Sequence, residues 1–399
     1  MAVGGAGMAP APPAVMSPSG PAAELYATQV EAAVAGDALG GQIASEIDSG
    51  RRKRGQVPLV RDGRLDRVAR DIVRAAGGCR VPAPEAVGFL LWHYGVVAPE
   101  PNLFLHCGDD GAETTALAAM RSNFAGAKAA PDWRRVGIGV ERTAGRWSAA
   151  IIFQEKHLDL EPVPRTLAPG AHATLAFRLR AAFHRPEVLV TPPRGTVVRQ
   201  EATSHRDGHT ARLDCDRGNG AYQVEIIAQD ERGPRVLANF PVYCGVAGPT
   251  TFTVAAPLAS STLDPEAIER QLLELMDRDR GQAGLSTFVR DARLAAAARR
   301  YSREMAETGE VAHVSPRTGS VVDRVRKAGV EPPPTAIMEN VGSATSAGDA
   351  EHAFMGSPGH RDNILSPLVT HVGVGVAVGR DEGGTAILYF TQIFVGWGK

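Results

Sequence analysis

The apolar and polar positions near the C-terminus predict helices followed by antiparallel strands. Asp264, Pro265 and Glu266 supply a helix N-cap, a proline at the first helical position and an acid in the first turn. Apolar residues then recur at helical spacing, at Ile268, Leu272, Leu275 and Met276. Two further helices are expected at 292–307 and 349–355, and two strands at 372–378 and 386–394, joined by a turn at 380–384. We therefore predict helices packed over a small antiparallel sheet.

The middle of the chain, from about Val163 to Gly248, has a different pattern. Apolar and polar residues alternate in short runs separated by Gly, Pro and Asp, at 173–179, 187–190 and 222–227. This alternation is typical of strands, and a segment of this length fits an immunoglobulin-like β-sandwich. Cys215 and Cys244 are expected on strands near its end, without the intervening tryptophan of antibody domains.

Length and composition narrow the functional classes. A chain of 399 residues exceeds what one hydrophobic core usually organises, so two or three domains are expected. Its 43 Lys and Arg nearly cancel its 44 Asp and Glu, which disfavours nucleic-acid binding. No apolar run of about eighteen residues occurs, so no transmembrane segment is predicted. Residues 1–24 are rich in Ala, Gly and Pro without the features of a signal peptide, so we expect a flexible leader.

The four cysteines form two local pairs, Cys79 with Cys107 and Cys215 with Cys244. Neither pair has the close C-x-x-C spacing of zinc or redox sites. Two disulfides formed in an oxidising compartment are expected, with buried free thiols as the alternative.

Part of the C-terminal pattern recurs near the N-terminus in the same order. The matching runs are 59–65 with 288–294, 94–96 with 328–330, 118–122 with 353–357, and 135–140 with 371–376. A retained order over four matches indicates an internal repeat. Counting from Gly95 and Gly329, Leu105 stands where Glu339 stands and His106 where Asn340 stands. The first copy thus keeps the apolar residues of the pattern and lacks its polar residues. The disulfide expected between Cys79 and Cys107 would take the place of the lost polar site.

Five motifs in the last third of the chain carry a resemblance to a known family. They are His313–Pro316, Glu339–Val341, Ser357–Leu365, Thr370–Val376 and Tyr389–Phe394. In order and spacing they resemble the bacterial branch of the CAP superfamily, which comprises the cysteine-rich secretory proteins, antigen 5 and pathogenesis-related proteins and is also called SCP-like. The resemblance covers roughly 263–397 and implies an α-β-α sandwich there.

The resemblance also implies a cleft lined by a histidine and a glutamate, and His313 and Glu339 match those two positions. Eukaryotic members add a second glutamate and a second histidine, where this chain has Ser357 and Tyr389. In the bacterial pattern the motif that begins at Ser357 contains a histidine, which is His360 here. The residues predicted to line the cleft are therefore His313, Glu339, Asn340, Ser357, His360, Tyr389 and Gln392.

One carboxylate between two imidazoles suits more than one kind of chemistry. His313, Glu339 and His360 could hold Zn²⁺ with a water in the open position, which would then be a nucleophile. Alternatively, Glu339 orients a histidine and the group forms the polar floor of a ligand site. In a third interpretation the cluster is structural, with Glu339 accepting backbone hydrogen bonds. Glu351 and His352 are expected to face solvent.

The sequence thus predicts an α+β multidomain protein in which two α-β-α sandwich CAP domains flank an all-β immunoglobulin-like sandwich. The expected segments are the leader at 1–24, a degenerate CAP copy at 25–162, the sandwich at 163–250 and an intact CAP domain at 262–399. We expect an exported bacterial protein, in the periplasm, at the cell surface or secreted. Its expected role is non-enzymatic binding of a small apolar ligand such as a lipid, a divalent cation or a peptide. A metal-dependent hydrolase with zinc as its cofactor is the alternative.

Overall fold

The fold is described from a computed structural model. It covers residues 14–75, 83–99, 101–114, 117, 133–254, 263–380 and 386–398. Within these ranges no helix is both long and apolar enough to cross a membrane.

The first part of the chain places helices on both faces of a four-stranded sheet. Its strands and helices, in chain order, are β1 (Ala14–Met16), β2 (Leu25–Tyr26), α1 (Ala38–Lys53), β3 (Val60–Arg61), α2 (Gly63–Ala75), α3 (Pro84–His93), β4 (Asn102–Asp109), β5 (Trp133–Thr143) and β6 (Arg146–Glu155). The sheet order is β3-β5-β6-β4, with β3 parallel to β5 and the other pairs antiparallel. Ile43 of α1 packs with Ile151 on one face, and Val68 of α2 packs with Ile152 on the other.

The middle part consists of two sheets that share one core. Its strands are β7 (Leu158–Leu160), β8 (Val163–Pro164), β9 (Thr166–Leu167), β10 (His172–Leu179), β11 (His184–Thr191), β12 (Val198–Glu201), β13 (Thr203–His205), β14 (Gly208–Asp214), β15 (Gly220–Asp230) and β16 (Gly233–Cys244). The sheet orders are β13-β14-β10-β7 and β12-β11-β15-β16-β9. Leu175 of one sheet and Phe240 of the other lie in the same buried cluster. The alternation predicted from the sequence therefore does mark strands.

The disulfide predicted between Cys215 and Cys244 is confirmed. The two Cα atoms lie 5.6 Å apart, and the bond joins the end of β14 to the end of β16. Because these strands belong to different sheets, the disulfide links the two sheets of the middle part. Cys79 lies outside the described residues, so its pairing with Cys107 stays a prediction.

The C-terminal part again surrounds a four-stranded sheet with helices. After β17 (Phe252–Val254) come α4 (Pro265–Gln282), β18 (Val289–Arg290), α5 (Ala292–Thr308), α6 (Val321–Lys327), β19 (Ala336–Ala344), α7 (Ala347–Gly356), α8 (Pro358–Ile364), β20 (His371–Arg380) and β21 (Ala386–Gly396). The sheet order is β18-β20-β21-β19. The three helices and two strands predicted here are confirmed, whereas most of the turn between the strands lies outside the described residues.

Helices cover both faces of this C-terminal sheet. Leu272 of α4 and Phe354 of α7 pack with Phe390 of β21 in one buried cluster. Val325 of α6 packs with Ile393 in another. Since successive residues of a strand point to opposite faces, the two clusters lie on opposite sides of the sheet. The C-terminal part is therefore a helix–sheet–helix sandwich, as the resemblance implied.

The N-terminal and C-terminal sheets have the same strand order, and equivalent glycines lie against equivalent helices. A Cβ atom at Gly137 would lie 2.3 Å from Leu65 of α2, and one at Gly373 would lie 2.2 Å from Leu294 of α5. No side chain fits at either position, because the helix backbone already fills the space. The glycines thus let helix and sheet approach closely.

The pairing of the strands corrects the alignment of the two copies that was obtained by counting residues from Gly95 and Gly329. Gly137 pairs with Ile152, which pairs with Leu103, whereas Gly373 pairs with Ile393, which pairs with Glu339. Leu103, and not Leu105, therefore occupies the position of Glu339. The count failed because Leu103 follows Gly95 by eight positions, whereas Glu339 follows Gly329 by ten.

The segment predicted to be a flexible leader is partly ordered. Residues 1–13 lie outside the described residues, but β1 pairs antiparallel with β17. Met16 of β1 is buried in the core beside α2 and α3. Strand pairing and apolar burial both fix this segment, so the prediction of a leader over 1–24 is wrong from Ala14 onward.

Glu351 also differs from its prediction. It was expected to face solvent, but it is buried with Ala347, Ala350 and Phe354, which share its face of α7 at helical spacing. Burial, together with the neighbouring Asp279, raises the pKa of Glu351 to about 8. The carboxyl is therefore mostly protonated in the folded protein at neutral pH. His352 is exposed, as predicted.

We expect Glu351→Gln to stabilise the protein at alkaline pH. The pKa of Glu351 is raised from 4.5 to about 8, so its contribution to folding is complete below pH 4.5 and is lost as the pH rises to about 8. The variant has no proton to lose, and its free energy of unfolding at pH 8 should exceed that of the natural protein by about 1–3 kcal/mol. Urea denaturation at pH 5 and pH 8 measures this difference.

Glu274→Gln, at an exposed position on α4, is the matched control and should change stability equally little at both pH values. An effect of Glu351→Gln that is the same at pH 5 and pH 8 would contradict the assignment.

Candidate functional site

The carboxylate of Glu339, on β19, is the centre of the predicted site. Its Oε2 atom lies 3.0 Å from Nδ1 of His313, and its Oε1 atom accepts a hydrogen bond of 2.5 Å from Nη2 of Arg324. The side chains of Glu339 and Arg324 are only 2% and 4% exposed. Both carboxylate oxygens are therefore already bound by groups of the protein itself.

Arg324 is the site residue that sequence reasoning missed. Its Nη1 atom donates to the carbonyl of Gly319, and its Nη2 atom also donates to the carbonyl of His313. Its guanidinium lies 3.6 Å from the centre of the Tyr301 ring. These contacts tie the loop after α5 to both α6 and the sheet. In the sequence nothing distinguishes Arg324 from its neighbour Arg326, which is exposed.

The same loop is fixed on its other side by α5. The hydroxyls of Ser315 and Thr318 both donate to the carboxylate of Glu304. The hydroxyl of Tyr301 donates to the carbonyl of Ala312. Burial raises the pKa of Tyr301 to about 12, so this phenol keeps its proton at neutral pH. The imidazole of His313 is thus held at the end of a braced loop.

Asn340 and Gln392 do not line the cleft with Glu339, which corrects the sequence prediction. Adjacent residues of a strand point to opposite faces, so Asn340 lies across the sheet from Glu339. There its Nδ2 atom donates to Gln392 Oε1 at 2.8 Å, and its Oδ1 atom accepts from Asn363 at 2.8 Å. Nδ2 of Asn340 also donates to the carbonyl of His360. This buried amide cluster fastens α8 to the sheet.

Tyr389 is buried rather than placed on a cleft wall. It packs in a small apolar cluster with Tyr301, Met305 and Val341. In the sheet it is paired with Ser343, four residues along β19 from Glu339. The structure therefore separates Tyr389 from the predicted pair of His313 and Glu339.

Ser357 and His360 lie at the start of α8, under the middle part of the chain. Ser357 is buried and donates from Oγ to Oε1 of Glu225 at 2.6 Å, so it does not line an open cleft. The ring of His360 packs edge-on against Phe354. Burial, with a smaller effect of the nearby His313, lowers the pKa of His360 to about 3. His360 is therefore neutral across the physiological pH range.

The donor set fits a metal ion poorly. Within the described ranges, no group of three or more His, Cys, Asp or Glu residues is placed to hold one. Each oxygen of Glu339 already accepts one hydrogen bond, and the charge of Arg324 beside the carboxylate would repel a cation. The geometry instead suits a carboxylate that orients an imidazole and a guanidinium.

An opening lies elsewhere on this part of the chain. A groove of about 710 Å³ runs between the start of α4, the second half of α5 and β20. Glu269 and Arg299 form an ion pair in its wall. No residue predicted for the cleft lines this groove, so it does not belong to the site around Glu339.

Comparison with known protein families identifies a match in the C-terminal part of the chain. Residues 273–394 match the family model described as CAP, the cysteine-rich secretory protein family. The chain is 32% identical over 148 residues to the uncharacterized protein YkwD of Bacillus subtilis (strain 168), a match that covers 37% of this chain and 52% of that protein. It is 33% identical over 128 residues to the uncharacterized membrane protein YlbC of the same organism, covering 32% of this chain and 34% of that one. The matches thus span about half and about a third of these two relatives.

A solved structure gives a weaker similarity. It is an extracellular protein from Bacillus anthracis str. Ames that contains an SCP domain, and it is 18% identical with a TM-score of 0.30. The alignment covers 49% of this chain and 67% of that one. The family match therefore places a CAP domain in the C-terminal part of this chain, at residues 273–394.

Proposed function

We propose that this is an exported protein whose C-terminal CAP domain binds a ligand without catalysing a reaction. The supporting observation is that both oxygens of the Glu339 carboxylate are bound, one by Arg324 and one by His313. A general base needs a free oxygen directed at the substrate, and a zinc ligand needs one directed at the ion. The alternative of a metal-dependent hydrolase would place a cation beside the positive charge of Arg324.

An apolar ligand, either a small molecule or the side chains of a peptide, suits the surface next to His313. The imidazole is 20% exposed. Val311 and Val314 are close to it in the sequence and are 42% and 37% exposed. Exposed valines in the same loop as a fixed imidazole combine apolar contact with one polar group, which is a common composition of ligand sites. A divalent cation is the least favoured ligand, because Arg324 already neutralises the carboxylate.

We further propose that the N-terminal part is a CAP copy that has lost its site and that the middle part is an immunoglobulin-like spacer. The strand order that the two outer parts share supports the first point. By register Leu103 takes the position of Glu339, and Phe104 that of Asn340. The first copy thus has apolar side chains at both positions and would serve as a scaffold. The two sheets around one core support the second point.

Export is supported by two observations. The disulfide between Cys215 and Cys244 is of a kind that persists in oxidising compartments outside the cytosol. The matched family is also described as secretory. Together they favour a location in the periplasm, at the cell surface or outside the cell.

The binding role predicts that the protein takes up an apolar probe at His313. Titration of the full chain with the dye bis-ANS should give a saturable fluorescence increase, and His313→Ala should weaken it at least about fivefold by removing the polar contact. His352→Ala, an exposed histidine on α7, should bind like the natural protein. Native mass spectrometry of the same samples measures bound metal. Stoichiometric zinc that is lost in His313→Ala, together with hydrolytic activity, would support the hydrolase instead.

The buried ion pair predicts a specific pattern of stability. Arg324→Met should lower the free energy of unfolding by about 3–5 kcal/mol, because it leaves the carboxylate of Glu339 buried without its partner. The double variant Arg324→Met with Glu339→Leu should regain most of that loss, since neither charge remains. Chemical denaturation of both variants measures the difference. A double variant as unstable as the single one would refute the ion-pair assignment.

A further inference from the structure

We propose that the middle part is a removable cover over the site of His313 and Glu339, which it contacts through the hairpin of β15 and β16. The turn of this hairpin rests on the His313 loop, and Glu225 of β15 latches it to the start of α8. The proposal rests on the ligand role given above and adds how access to that site is controlled.

The first contact joins the turn of the hairpin to the loop that carries His313. The backbone N–H groups of His313 and Val314 both donate to the carbonyl of Arg232, at 3.1 and 2.9 Å. Gly233, the next residue, has a φ of +99°. A Cβ atom there would lie 2.9 Å from Cβ of His313, so the hairpin approaches this loop as closely as glycine allows.

The second contact is the latch itself. The carboxylate of Glu225 is fully buried and accepts hydrogen bonds from Oγ of Ser357 at 2.6 Å and from the backbone N–H of Gly359 at 2.8 Å. Ser357 directly precedes α8, and Gly359 lies in the first turn of α8, next to His360. The two contacts therefore hold two edges of the predicted site, the His313 loop and the start of α8, against one hairpin.

The interface is polar, which suits a cover that can leave. The buried cluster of the middle part contains no residue of the C-terminal part, and the clusters of the C-terminal part contain none of the middle part. At the rim, Arg199 lies 3.5 Å from Asp362 and Arg232 lies 3.6 Å from Glu310. Release of the middle part as a unit, with β15 and β16 kept in their own sheet, would therefore expose little apolar core. Interfaces of this kind usually permit relative movement of domains.

The stability of the Glu225 latch also depends on pH. Burial raises the pKa of Glu225 to about 7, against the smaller opposing effects of its two hydrogen bonds and of Arg199. Because the docked carboxyl has the raised pKa, docking is favoured at low pH and weakens as the pH rises through about 7. Because the Glu225 contact becomes less stable within the physiological pH range, it can open and close.

Hydrogen–deuterium exchange on the full chain tests the cover without any ligand. In Glu225→Ala, peptides that span 313–319 and 357–364 should exchange at least about tenfold faster, whereas peptides of β10 and β16 stay protected and show that the protein is folded. Gly233→Ala should produce the same effect at 313–319, because its methyl group would push the turn away from His313. Glu201→Ala, an exposed acid on β12 of the same sheet, is the matched control and should change neither segment.

Unchanged exchange in both Glu225→Ala and Gly233→Ala would overturn the cover. The bis-ANS titration of the same variants separates this proposal from the proposed function. Faster exchange with stronger dye binding supports both, and faster exchange with unchanged dye binding supports the cover while arguing against His313 as the ligand site.

Discussion

The buried ion pair between Glu339 and Arg324 is the interaction on which the C-terminal site depends. A carboxylate that is nearly inaccessible to water needs a partner, and Arg324 supplies it. The same guanidinium binds two carbonyls of the loop after α5, and the second carboxylate oxygen orients His313. Sheet, helix and loop thus meet at one charge pair. This arrangement explains why the site has the residues of a metal centre but the geometry of a fixed polar network.

The sequence predicted the helices, the strands and the pairing of His313 with Glu339, because helical spacing, alternation and a specific motif each determine local structure. Arg324 could not be predicted, since a charged residue on a short helix normally faces solvent. Asn340 was misplaced by treating neighbours in a motif as neighbours in space, although adjacent strand residues lie on opposite faces. Glu351 was misplaced although it falls in line with Ala347, Ala350 and Phe354. A helical projection would have shown it to be buried.

The comparison of the N-terminal and C-terminal parts shows why counting residues along the chain did not locate the position equivalent to Glu339. Equivalent glycines against α2 and α5 support the repeat, yet the position of Glu339 falls on Leu103, which follows Gly95 by eight positions where Glu339 follows Gly329 by ten. Contacts between residues far apart in the chain also could not be predicted from the sequence. Ser357 was assigned to the cleft, and only the folded chain places the Glu225 carboxylate against it. The motif that marks the family is thus used here to hold the middle part in place.

The central claim is that the middle part packs against the polar site of the C-terminal part in the resting protein and limits the access of water to the imidazole at the start of α8. The pKa of His360 reports this directly, because burial lowers it from 6.5 to about 3. An NMR titration of the histidine side chains in the full chain is the most direct measurement. The account predicts that His360 remains neutral down to about pH 4, and a midpoint near 6.5 would contradict it.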